Sequence, residues 1–259
     1  MVIIETYDDL KKYVQMYVDA NAELVVIESE GGLGKSVLVE DTMTSNNKPY
    51  LLLNSHLTPL MLYLMVYKYR HIPHIILDDI ETLLQNKQNV SLIKQLTETS
   101  RDGIKKIGWY STTEKLGDVP THFETESKVL ILANDIKFVD KKVGRAVLSR
   151  GFMIHFKPSN KELLDKIREF CTDMDIVQFL EENCKHSDSF SLRSAVKGMS
   201  LKKQFPQEWK HELAKDLEIN PELIKVSMLM ETYPDDKSRV ENYDKSRRTF
   251  YRHKKKLVS

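Results

Sequence analysis

Cysteine is nearly absent from this sequence. Cys171 and Cys184 are the two in 259 residues, too few for a disulfide framework and without the spacing of a metal site. They read as buried or half-buried thiols of a reducing compartment. An excess of one charge sign is also missing. The formal net charge is +1, so an argument for a nucleic-acid partner has to rest on local charge. The longest apolar run, Leu60–Tyr67 (LMLYLMVY), falls well short of the roughly 20 residues a bilayer-spanning helix needs. The opening MVIIETYDDLKKYV turns acidic and amphipathic at once, unlike a secretory signal. Neither an internal repeat nor a low-complexity tract is seen. The expectation is a cytoplasmic protein with no membrane partner. Hydrophobic residues at 41% and charged residues at 30% fit a globular chain with an ample core.

Short apolar runs alternate with helical periodicity in the first part of the chain. Tyr7–Val18 predicts an amphipathic helix, with Leu10, Tyr13, Val14, Tyr17 and Val18 on one face. Glu23–Glu28, Tyr50–Leu53, His74–Asp79, Lys128–Asn134 and Phe152–Phe156 read as five buried strands. Helices are expected at Lys35–Met43, Leu57–Arg70, Ser91–Thr99 and Arg145–Ser149. This alternation predicts an α/β, three-layer core with a mainly parallel five-stranded sheet. After Pro158 the strands cease. Asn160–Cys171, Asp175–Cys184, Phe190–Met199 and Pro206–Leu217 all read as helices. We therefore expect a core over 1–156, an all-helical region over 157–218 and a small basic helical module over 219–259.

The stretch Ser29–Ser36 (SEGGLGKS) lies between a buried strand and a helix. A phosphate loop needs glycines so that successive backbone amides can face a polyanion. It needs a lysine for the outer phosphates and a hydroxyl for magnesium. Gly31, Gly32, Leu33, Gly34, Lys35, Ser36 and Val37 supply that segment, and the following helix adds its positive end. The usual pattern begins with glycine, and Ser29 stands in that place. The strand HIILDD ends in two carboxylates. Asp78 suits magnesium through water, alongside Ser36. Asp79 suits orienting or deprotonating a water. The bland alternative is that the two aspartates cap a helix.

This order of motifs resembles the AAA+ ATPases over about residues 1–218. The resemblance implies ATP and Mg2+ as cofactors and an oligomer, homomeric or heteromeric, with sites at subunit interfaces. It also implies a helical lid after the core. Asn134, ending KVLILAN, resembles the family's sensor-one residue. Arg150 in AVLSRGF resembles the arginine finger that completes a neighbour's site, with Arg145 as rival. Arg193 in FSLRSAV resembles the lid's sensor-two arginine. The family's usual second acid is glutamate. Asp79 is shorter, which leaves slow hydrolysis, or a role for Glu81, open. Paired aspartates also occur in superfamily-three helicases. An insert at Lys105–Glu126 alternates like a hairpin, with Ile107 and Trp109 against Phe123. Such hairpins line a central pore in several nucleic-acid motors. The alternative is that Trp109 and Phe123 pack over the sheet.

The chain ends in a charge run, KSRRTFYRHKKK. Tyr243, Phe250 and Leu257 recur every seven residues, which gives a helix one apolar seam, and Ser246 suits its cap. The seam predicts docking against a helix at Asn220–Glu231. Arg247 and Arg248 then fall in the first turn, where positive charge opposes the helix dipole. A nucleic-acid phosphate would relieve that conflict. Arg247, Arg248, Arg252, Lys254, Lys255 and Lys256 are the expected DNA contacts on a helix-turn-helix-like recognition helix. A solvated basic helix is the alternative. The functional expectation is a DNA-acting ATPase, loader-like in replication. The competing readings are a slow-turnover nucleotide switch or scaffold and a superfamily-three-like helicase.

Overall fold

The computed structural model describes residues 1–54, 57–79, 84–98, 100–110, 116–137 and 141–258. Glu81, Thr99 and the segment 111–115 of the insert lie outside those residues. The chain divides into two compact units, Met1–Ser159 and Asn160–Ser259.

The first unit is built on strands β1 (Val2–Ile4), β2 (Leu24–Glu28), β3 (Tyr50–Asn54), β4 (His74–Asp78), β7 (Lys128–Ala133) and β8 (Phe152–Phe156). They form one sheet in the order β1-β8-β2-β7-β4-β3, parallel at every pairing. The central strands are continuous Leu, Val and Ile, as a parallel sheet covered on both faces requires. The sheet has six strands, where the sequence predicts five. The extra one, β1, has three residues, with Val2 and Ile3 exposed. An edge strand that short carries no periodicity to read.

Among the described residues these helices accompany the sheet: α1 (Tyr7–Val18), α2 (Lys35–Ser45), α3 (Pro59–Lys68), α4 (Lys87–Leu96) and α5 (Lys141–Leu148). Thr6 caps α1 by accepting from the Asp9 amide at 3.2 Å, with Asp8 and Asp9 in the first turn. Asn86 accepts from the Gln88 amide at 2.9 Å, so α4 begins a turn before the predicted Ser91. The expected hairpin is present as β5 (Lys105–Gly108) and β6 (His122–Thr125), which pairs Ile107 with Phe123. Phe123 is buried against Tyr63 and Tyr67, with ring centroids 5.3 and 5.4 Å away, and Trp109 lies 6.1 Å from Tyr63. Both aromatic side chains therefore pack over α3, while Tyr110 beside them is 85% exposed. The hairpin base is fastened by the buried Lys105 ammonium, 2.6 Å from Glu23 Oε2 and donating to the Ser127 carbonyl at 2.5 Å.

The second unit is helical: α6 (Asn160–Phe170), α7 (Met174–Asn183), α8 (Leu192–Gln204), α9 (Trp209–Asp216), α10 (Pro221–Thr232), α11 (Asp236–Glu241) and α12 (Arg247–Val258). A Cβ at Gly198 would sit 3.0 Å from Ile176 and 3.1 Å from Leu213, so glycine lets α7, α8 and α9 close on one another. Cys171 and Cys184 are both buried and unbridged. Phe250 and Leu257 lie on α12, whereas Tyr243, expected on the same helix, falls in the segment before it because the helix begins only at Arg247. Phe250 and Tyr243 join Val226 of α10 in a small core that Leu257 flanks. The unanticipated element is α11, a six-residue helix with no buried residue. Its sequence, DKSRVE, gives no apolar stripe, and it is held by the Asp235 cap and the charges around Asp236. No helix among the described residues is long and apolar enough to cross a membrane.

Candidate functional site

The carboxyl ends of three adjacent strands, β2, β7 and β4, converge on the site. In an open parallel sheet that edge is where ligands bind. The loop leaves β2 through Ser29, which is buried and whose amide donates to the Ala133 carbonyl at 3.1 Å. Ser29 is not among the positive-φ residues, so the place usually held by glycine does not demand one here. Gly32 (φ +81°) and Gly34 (φ +76°) are the two that need left-handed backbone. Gly34 is also the N-cap of α2, and the first turn of that helix carries no acidic residue. Its dipole is therefore uncompensated and favours an anion.

Lys35 is buried. Its ammonium donates to the Ser29 carbonyl at 2.6 Å, the Glu30 carbonyl at 3.2 Å and Asn134 Oδ1 at 3.0 Å. Asn134 is the first residue beyond β7, and its Nδ2 donates to Asp79 Oδ1 at 3.3 Å. A chain thus runs Lys35–Asn134–Asp79. Asp78 closes β4 half-buried, and the exposed Asp79 follows at φ +52°, a region non-glycine residues rarely adopt. Ser36 is half-buried in the first turn of α2, Leu33 is buried and Val37 is exposed. The donor set fits a magnesium-bound nucleotide: a glycine-bearing loop, a buried ammonium, an uncompensated helix end, a hydroxyl and two carboxylates.

One contributor has no signal in sequence. The Tyr7 hydroxyl donates to the Leu33 carbonyl at 3.0 Å, while its ring packs edge-on against Phe156 at 5.1 Å. A tyrosine opening a helix 26 residues away belongs to no spacing rule. That bond ties the loop at Leu33 to the start of α1.

Three arginines were expected to serve the nucleotide. Arg150 follows α5 and donates through Nη1 to the Lys94 carbonyl near the end of α4. Arg145 is exposed on α5. Arg193 is exposed in the first turn of α8, in the second unit.

The basic helix α12 is capped as expected, with Ser246 Oγ accepting from the Thr249 amide at 3.2 Å. Arg247, Arg248, Arg252, Lys255 and Lys256 are exposed. Lys254 differs: it is ion-paired with Asp236 at 2.5 Å, and Asp236 also binds Arg239 at 2.8 Å. Its charge is already engaged inside the module.

No family model matches the sequence, and comparison with curated proteins gives no match. Solved structures do match. A point mutant of Thermotoga maritima RuvB superposes with a TM-score of 0.57 at 14% identity, over 89% of this chain and 79% of that one. A second RuvB mutant gives 0.55 at 13%, over 89% and 78%. The structure described as the Thermotoga maritima RuvB Holliday junction branch migration motor gives 0.53 at 12%, again over 89% and 78%. At such identity the likeness speaks for architecture alone: this chain has a RuvB-like fold.

Proposed function

We propose that this chain binds ATP with magnesium at Gly31–Val37, hydrolyses it, and acts on DNA as part of an oligomer of AAA+ subunits. The observation that carries the reading is the buried Lys35 ammonium, shared between the loop carbonyls and Asn134 where three strand ends meet. In this reading the loop amides and Lys35 hold the outer phosphates. Ser36 and, through water, Asp78 hold the metal. Magnesium, when bound, supplies positive charge against the phosphate oxygens. Asp79 orients the attacking water and accepts its proton. Asn134 sets the spacing between Lys35 and Asp79. Arg150 would exchange its Lys94 carbonyl for a neighbour's phosphates, and Arg193 would meet nucleotide from the helical unit.

RuvB is described as a branch migration motor on Holliday junctions, which supports a DNA partner here. The exposed cations of α12 give that partner a surface. The narrower reading, a clamp-loader-like or helicase-loader-like role in replication, rests on the sequence resemblance. The deciding experiment is turnover with and without DNA, beside light scattering with and without ATP. Stimulated hydrolysis by an ATP-dependent oligomer supports the proposal. A chain that stays monomeric and loses nothing on Arg150→Ala would sink the arginine-finger role.

A second reading is a nucleotide-holding switch with little turnover. It is favoured by Asp79, one methylene shorter than glutamate, whose Oδ1 already accepts from Asn134. Nucleotide retained without hydrolysis, whatever DNA is present, would select it.

A further inference from the structure

Glu28 is the last residue of β2 and stands directly before the phosphate loop. A carboxylate there opposes any polyanion held by the residues that follow, so electrostatics alone disfavours it. Its contacts show a different task. Oε1 accepts from the Ile136 amide at 2.8 Å, and Oε2 lies 3.3 Å from His155 Nδ1. The side chain is only 18% exposed. Next to it, the Ser29 amide donates to the Ala133 carbonyl at 3.1 Å. Consecutive residues 28 and 29 therefore grip residues 136 and 133, and Asn134 lies between the two grips. Asn134 itself is exposed and follows the last residue of β7 that pairs with β2. Its side chain bonds Lys35 at 3.0 Å and Asp79 at 3.3 Å, the two groups it has to lie between.

We propose that Glu28 is a positioning residue. By tethering Ile136 it fixes Asn134 between Lys35 and Asp79, and His155 holds the carboxylate in the orientation that does so. This rests on the hydrolytic reading of Asn134 above. What it adds is why an acid is tolerated beside a phosphate site: its role is geometric, through the Oε1 acceptor, and its charge is incidental. Glutamine retains that acceptor and removes the charge. Alanine removes both.

The test compares Glu28→Gln, Glu28→Ala, Asn134→Ala and the Glu28→Ala/Asn134→Ala pair in the full chain. Three readouts are used: turnover, affinity for a fluorescent ATP analogue, and amide exchange of the 133–137 segment without nucleotide. Misplacement by about an ångström can cost on the order of a hundredfold in rate, so Glu28→Ala is expected to lose about ten- to a hundredfold in kcat with affinity changed less than about threefold. Exchange of the Ile136 amide rises in the same variant. The double variant is no slower than Asn134→Ala alone, because both remove one function. Glu28→Gln keeps turnover, exchange protection and the melting temperature, which separates positioning from folding. Multiplying rate losses, or unchanged exchange at Ile136 in Glu28→Ala, would overturn the proposal. So would a Glu28→Gln that behaves like Glu28→Ala. If the natural chain hydrolyses nothing, the hydrolytic reading fails by itself, and the exchange measurement still decides whether Glu28 holds the segment.

Discussion

Lys35 and Asn134 are joined by a hydrogen bond of 3.0 Å that ties the phosphate loop to the end of the neighbouring strand. The ammonium is buried, and it also donates to the Ser29 and Glu30 carbonyls. A charged donor aimed at a phosphate contributes about 1.5–3 kcal/mol, so Lys35→Ala should weaken ATP binding by about ten- to a hundredfold. Titration with a fluorescent analogue measures it. Undiminished affinity would remove Lys35 from the site.

Asp79 sits at φ +52° and accepts from Asn134. Asparagine tolerates left-handed backbone about as well as aspartate and lacks the basic oxygen. Asp79→Asn should therefore keep the melting temperature and nucleotide affinity while turnover drops by about a hundredfold or more, the scale of a lost general base. A variant that still hydrolyses at the natural rate would pass the role to another acid, and Glu81 is the next to test.

On α12, fold and charge separate cleanly. Phe250 is fully buried, 5.6 Å from the Tyr243 ring, so Phe250→Ala should cost about 3–5 kcal/mol and melt the module. Arg247→Ala with Arg248→Ala touches exposed side chains and should leave the melt unchanged. DNA affinity should fall, and the slope of log K against log salt should shrink by about 0.9 for each phosphate that is no longer neutralised. Equal affinity and slope in the double variant would dismiss this face as the DNA-binding surface.

Acid should loosen the first unit through His74. The imidazole is buried, 5.0 Å from the Tyr17 ring and 3.2 Å from the Val18 carbonyl. Burial holds its pKa below the usual value, nearby Lys48 adds to this, and backbone carbonyls partly oppose it. The unfolded chain therefore takes up a proton before the folded one. The stability that neutral His74 contributes is complete above about pH 6.5 and is lost as the pH falls through the depressed folded value. Melting temperatures between about pH 7.5 and 5.5 should fall less steeply for His74→Gln than for the natural chain. Burial depresses His186 and His253 in the helical unit as well, so its melt should also respond to acid. Parallel slopes for His74→Gln and the natural chain would discard His74 as the cause.

Strands β2, β4 and β7 are legible in the sequence because continuous apolar runs bounded by polar residues have few other places in a fold. The loop and Asp78–Asp79 are legible because their chemistry is local in sequence. Asn134 can be named as a strand end, but its bonds to Lys35 and Asp79 depend on which strands lie side by side, and spacing does not carry that. Tyr7 and Glu28 are invisible for the same reason. Each acts across the sheet on a partner far along the chain. The pairing of Lys254 with Asp236 is likewise not legible, because a run of cations does not show which member meets an acid.

The strand order has a consequence for synthesis. β2 emerges early, yet both of its neighbours, β7 and β8, are made last among the sheet strands. At a ribosomal pace of about 5–20 residues per second, the nascent Leu24–Glu28 run waits several seconds without a partner. The phosphate loop it carries cannot take shape until Ala133 arrives to receive the Ser29 amide. This chain therefore completes the loop's surroundings only when nearly the whole core has been made, and its non-local strand pairing favours slow folding.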